Sequence, residues 1–113
     1  MKAAAEDRFY AIHSQFCMIF SCPLRIKLFH ALEHGERTVG DLAETSGATM
    51  ANVSQHLRLM RDKGAVLSRK QGKQVYYRIA NPKFMEAARL IREGLIEEIE
   101  KRARAMSKSR ALV

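Results

Sequence analysis

Between residues 7 and 20 the apolar side chains Phe9, Ile12, Phe16 and Ile19 recur every three or four positions, with Phe20 widening the stripe. That spacing predicts a helix with one apolar face. Cys22-Pro23-Leu24-Arg25 opens a second helix: proline is favoured at the first helical position, where its missing N–H costs nothing, so Cys22 falls at the N-cap. Leu24, Leu28, Ala31 and Leu32 continue the buried face to about Glu33, and Gly35 stops it. Thr38 followed three residues later by Asp41 marks the start of a short helix carrying Val39, Leu42 and Ala43. After the Ser46-Gly47 turn, Thr49 caps a helix predicted to run to about Lys63, with Val53, Leu57 and Met60 facing inward.

Gly64 ends that helix, and the period then changes from helical to alternating. Residues 65–70 and 74–79 read as two strands around Gln71-Gly72-Lys73, with Val75, Tyr77 and Ile79 on one face and Gln74, Tyr76 and Arg78 on the other. Asn81-Pro82 begins a last helix, expected to reach about residue 104 and to fray from Ala105 onward. Phe84, Ala88, Ile91, Leu95 and Ile99 form its main stripe, and Met85, Leu90, Ile96 and Ala103 broaden it beyond what one small core requires. The surplus, together with the apolar first helix, predicts a homodimer interface over residues 7–20 and 82–104.

Two short helices joined by a glycine turn, the second polar on its outer face, form a helix-turn-helix over residues 38–63. The hairpin at 65–79 follows it as a wing. The expected fold is mainly α with a β-hairpin, in the order α-α-α-α-β-β-α, and 113 residues make it one domain spanning 1–113.

Charge sharpens this picture because it is unevenly placed. The chain carries a formal net charge of +8, yet residues 1–48 contain more acids than bases. Residues 49–80 hold Arg58, Arg61, Lys63, Arg69, Lys70, Lys73 and Arg78 against Asp62 alone. Cations concentrated on a helix and hairpin, with apolar residues between them, point to a polyanion-binding surface. No apolar run is long enough to span a bilayer, and the acid-containing N-terminus lacks the pattern of a secretory signal, so a cytoplasmic protein without a membrane partner is expected.

The chain resembles the ArsR-type winged-helix transcriptional repressors over about residues 9–100. The resemblance rests on three stretches: Cys22-Pro-Leu-Arg-Ile-Lys-Leu-Phe-His-Ala-Leu32, Val53-Ser-Gln-His-Leu-Arg58 and Gly72-Lys-Gln-Val-Tyr-Tyr-Arg-Ile79. It implies a symmetric dimer on double-stranded operator DNA, released by an inducer. On that reading Ser54, Gln55 and His56 read base edges, and Arg58, Arg61, Arg69, Lys70 and Lys73 hold phosphates; Thr49 and Asn52 complete the candidate DNA-binding set. The family's metal-site motifs are missing: Arg37–Asp41 holds no Cys-x-Cys pair and residues 82–113 contain no histidine. Persulfide-sensing members pair one cysteine in the second helix with one on the last; here His30 stands near the first position and the last helix has no cysteine.

Cys17 and Cys22 are the only two cysteines and the remaining candidates for a sensor. An N-cap favours the thiolate of Cys22 through the helix dipole, with Arg25 one turn onward. His13 and Cys17 share a helix face and, with Cys22, form a candidate site for a metal or metalloid ion. Reversible thiol chemistry, ion binding, and simple packing with capping are three separate readings of this pair. A winged-helix module for protein or RNA partners is the alternative to a DNA-binding repressor. No Ser/His/Asp arrangement, paired-carboxylate cleft or phosphate loop is present to suggest an enzyme.

Overall fold

In the computed structural model the structure describes residues 2–111. The elements are α1 (Ala3–Cys17), a 3-10 turn (Met18–Ser21), α2 (Pro23–Ala31), β1 (Arg37–Thr38), α3 (Val39–Ser46), α4 (Met50–Asp62), β2 (Val66–Gln71), β3 (Gln74–Ile79) and α5 (Pro82–Ala111). This is a winged helix-turn-helix. The wing has one strand more than the alternating pattern indicates: β1 joins it, giving the antiparallel order β1-β3-β2 with Arg37 opposite Tyr77 and Thr38 opposite Tyr76. Two residues are too short to carry a periodic signal, so this strand exists only through its pairing with β3.

The helix ends also differ from the sequence expectations. α1 starts at Ala3, four residues before the predicted start at residue 7, because Ala3-Ala-Ala5 propagates a helix without needing burial. Its α-helical form stops at Cys17 instead of reaching residue 20, and Met18–Ser21 tighten into the 3-10 turn. α2 closes at Ala31, short of Glu33. α5 runs to Ala111 without the expected fraying from Ala105: no Gly or Pro interrupts this stretch, and Lys108 and Arg110 complement the negative end of the helix dipole.

Both threonine caps form. Thr38 Oγ1 accepts from Asp41 N at 3.0 Å, and Thr49 Oγ1 accepts from Asn52 N at 3.2 Å. Between the two helices Gly47 sits at φ +75°, a left-handed position that favours glycine and turns the chain from α3 into α4. From α2, Lys27 Nζ donates to the carbonyl of Ser46 at 3.0 Å, fixing the last turn of α3 against its neighbour.

The core gathers Leu28, Phe29 and Leu32 of α2 and its end, Leu42 of α3, Val53, Leu57 and Met60 of α4, Val66 of β2 and Tyr77 of β3. Ile19 closes it from the 3-10 turn. An aromatic chain extends outward: the Phe29 and Phe20 rings meet edge to face at 5.3 Å between centroids, and Phe16 lies 4.5 Å from Phe84 of α5.

The two terminal helices stand largely outside this core. α1 buries none of its residues, and α5 buries only Met85 and Ala88. The radius of gyration is 18.1 Å, whereas a compact chain of this size would measure about 13 Å. The difference lies in the projecting helices.

Leu57 is fully enclosed and contacts no water. Leu57→Ala is expected to lower unfolding free energy by about 3 kcal/mol, seen as a fall in the denaturant midpoint at constant m-value. An unchanged midpoint would show that α4 is not anchored through this side chain.

Candidate nucleic-acid interface

At 100° per residue, the buried Val53, Leu57 and Met60 define the inner face of α4, and Ala51, Gln55, Arg58 and Asp62 lie opposite. Asn52 flanks that outer face on one side, and Ser54 and Arg61 lie toward the other. Gln55, Arg58 and Asn52 are exposed, Ser54 is half-buried, and Arg58 has no hydrogen bond or ion pair among the described residues. Arg61 approaches Asp62 at 3.5 Å on the surface. Thr49 is exposed, but its hydroxyl is committed to the cap.

His56 lies elsewhere. It is half-buried, and its Nδ1 stands 3.3 Å from Arg25 Nη1 of α2. The same guanidinium donates from Nε to the carbonyl of Ile19 at 3.0 Å and from Nη2 to the carbonyl of Met18 at 3.1 Å. Arg25 therefore joins three elements: the 3-10 turn, its own helix and the recognition helix. Sequence spacing gives no sign of this, because Arg25 and His56 are 31 residues apart.

In the wing, Gly72 at φ +60° is the first residue of a two-residue loop, and Lys73 has no positive φ. That combination matches a type II′ turn, whose twist suits the hairpin. Lys70 and Lys73 are exposed and unpaired among the described residues. Arg69 is tied down. Its Nε donates to Glu36 Oε2 at 2.9 Å, its Nη2 also reaches the Glu36 carboxylate, and its Nη1 donates to Gln71 at 2.6 Å. The guanidinium also lies over the Tyr76 ring, 4.3 Å from its centroid. Hydrogen bonding from Arg69 holds the Glu36 carboxyl below its ordinary pKa, so it remains an anion. The structure thus supplies an acidic partner, just before β1, that the sequence reading did not assign.

The cysteines separate. Cys17 is exposed at the end of α1, and Cys22 is half-buried at the N-cap of α2, both as free thiols. The backbone N–H of Arg25 is the main cause of a Cys22 pKa below the ordinary thiol value, aided by the Leu24 N–H and the Arg25 charge and opposed by partial burial. His13 rests against Phe9, ring centroids 6.0 Å apart. Among the described residues no three His, Cys, Asp or Glu side chains converge to hold a metal, so His13, Cys17 and Cys22 are not assembled into a ligand set. No described helix is long and apolar enough to cross a membrane.

Comparison with known proteins agrees with this geometry. Residues 22–67 match the model of the family described as bacterial regulatory protein, arsR family. The HTH-type transcriptional regulator Rv0081 of Mycobacterium tuberculosis is 29% identical over 107 residues, covering 94% of each chain. Its crystal structure superposes with a TM-score of 0.76 over 84% of this chain and 96% of that one. The cadmium resistance regulatory protein CadC of Listeria innocua is 41% identical over 78 residues, 68% of this chain and 66% of its own. A homodimeric winged helix-turn-helix domain from Mycobacterium bovis shares the fold at a TM-score of 0.81 and 22% identity, covering 88% of this chain and 93% of its own.

Because its thiolate is favoured, Cys22 is expected to react with iodoacetamide at neutral pH faster than a free thiol peptide, its rate rising through a midpoint below the ordinary thiol range. Mass spectrometry of the alkylated peptides reads this directly. A Cys22 midpoint at or above that of the peptide would contradict the N-cap effect.

Proposed function

The chain belongs to the ArsR family of bacterial regulatory proteins, and from that premise we propose that it is a homodimeric, sequence-specific repressor that leaves its operator in response to an inducer. It is a transcriptional regulator and not an enzyme. The observation carrying the proposal is the outer face of α4, where Asn52, Gln55 and Arg58 project with nothing packed over them beside a wing bearing the free cations Lys70 and Lys73. A helix of this kind fits the major groove, and a wing of this kind follows the adjacent backbone.

In this reading Gln55 pairs with a base edge, as amide side chains do with adenine N6 and N7. Arg58, Arg61, Lys70 and Lys73 hold phosphates. Ser54 reads from the flank of α4, and His56, engaged by Arg25, sets the seating of the helix. Support for the dimer comes from the exposed stripe of Phe9 and Ile12 on α1 and Ile91, Leu95 and Ile99 on α5, each more than half exposed. Pairing these stripes would bury the surface the core leaves open and place two recognition helices about 34–36 Å apart. The M. bovis domain that shares this fold is itself homodimeric.

For release, Cys22 is the favoured thiol. It begins the helix that carries Arg25, and Arg25 holds both the 3-10 turn and His56. A group added to Cys22 would crowd this guanidinium and loosen the seating of α4. Cys17, exposed on α1, has no such connection to the DNA-facing helix among the described contacts.

Three or four free cations per protomer amount to six to eight phosphate contacts per dimer, so log K for operator binding should fall with log[salt] at a slope between about −5 and −7. A flat response would eliminate the DNA reading. Gln55→Ala is expected to relax base preference, and Lys73→Ala to weaken all sequences about equally; uniform loss in both would refute the assignment of Gln55. Glu36→Gln should free Arg69 and steepen the slope by about 2 per dimer, whereas an unchanged slope would show that Arg69 never reaches DNA. Cys22→Ser should bind operator normally but resist release by iodoacetamide, and equal release of both proteins would remove Cys22 from the switch.

A further inference from the structure

Between α2 and α5 lie two neighbouring, half-open pockets. The first, about 370 Å3, is walled by Phe20, Ile26, Ile91 and Leu95 and is mainly apolar. The second, about 480 Å3, is lined by Glu33, Arg89 and Glu93. They share His30, Arg92 and Ile96, so the junction between the oily and the polar half is marked by a guanidinium and an imidazole. Each volume falls within the range of small-molecule sites.

The charges at that junction are not equivalent. Arg89 is spent on Glu33, with Nη1 and Oε1 3.2 Å apart. Arg92 forms no hydrogen bond or ion pair with any described residue. Burial, then the Arg92 charge, holds the His30 imidazole below its ordinary pKa, and the opposing influence of Glu33 is smaller. Glu93 lines only the polar half. A neutral imidazole there offers one N–H donor.

We propose that this paired cavity binds an amphipathic monocarboxylate, its carboxylate on Arg92 and His30 and its hydrocarbon against Phe20, Ile26, Ile91 and Leu95. A planar guanidinium free of protein partners suits a carboxylate, with two parallel N–H···O bonds available. A cationic head would be repelled by Arg92, and a neutral head would gain nothing from its charge. Neither half is sufficient alone: a short acid would forgo the apolar wall, and a hydrocarbon without an acid would forgo the guanidinium. Ile91 and Leu95 also belong to the stripe assigned above to the dimer contact, so the ligand site and the subunit contact would share a wall.

The test uses the full-length dimer without DNA, so its outcome is independent of the DNA-binding reading. Sodium octanoate, 1-octanol and sodium acetate are titrated separately, followed by calorimetry and by backbone amide shifts. Saturable binding of one octanoate per protomer is expected, with shifts centred on Ile26, His30 and residues 91–96. Octanol and acetate should bind at least about tenfold more weakly, and Arg92→Gln should weaken octanoate by about tenfold or more while leaving octanol unchanged. Arg92 is an exposed residue, so this variant is expected to fold, and its amide spectrum checks that directly. The proposal is overturned if octanoate shows no saturable binding, if octanol or acetate binds as tightly, or if Arg92→Gln binds octanoate unchanged.

Discussion

The small core is the constraint from which the rest follows. Its fully buried side chains come from the 3-10 turn, α2, α3, α4 and the wing strands, and their packing fixes the angle between a recognition helix and a hairpin. Little apolar capacity remains for α1 or for most of α5. A 30-residue helix about 45 Å long cannot lay its whole apolar stripe on so small a body. The exposed stripes therefore result from the economy of the core, and a second copy of the same surface is the simplest complement to them.

Within that frame a few polar contacts link parts that hydrophobic packing leaves independent. Arg25 fastens the 3-10 turn to α4 through carbonyl and imidazole acceptors, while Lys27 does the same for the end of α3. Both cations lie on α2, so this helix is the part of the body through which the first helix and the thiols can affect the DNA-facing surface. The proposed carboxylate site also touches α2, through Ile26 and His30, from its contact with α5. Two chemically different inputs would thus meet on one nine-residue helix.

Much of this architecture was legible in the residue pattern because it depends on local chemistry. Thr38 and Thr49 cap the helices assigned to them, Val53, Leu57 and Met60 are buried as their spacing requires, and the hairpin turns at Gly72. What the pattern missed depends on distant partners. β1 has only two residues and is defined by Tyr76 and Tyr77 across the sheet. Arg69 reads as a phosphate ligand until Glu36, 33 residues earlier, is seen to hold it. His56 occupies a recognition-helix motif, yet its ring turns toward α2. The limits of α1 and α5 were missed for another reason: alanine, lysine and arginine extend a helix without any apolar signal. The thiols show both cases, since Cys22 is defined by a local cap whereas a shared ion site with His13 and Cys17 would require a convergence that the fold does not provide.

The clamp between Glu36 and Arg69 gives the wing an adjustable valence. Added salt screens the attraction between Lys70 or Lys73 and a phosphate, and it also loosens an ion pair on the protein surface. A phosphate drawn close to the hairpin competes with the Glu36 carboxylate for the same guanidinium. With Arg69 held by Glu36, the wing presents two free cations, and loss of the Glu36 charge would add a third. The charge of the wing is thus set by an acid outside its hairpin, in the residue just before β1.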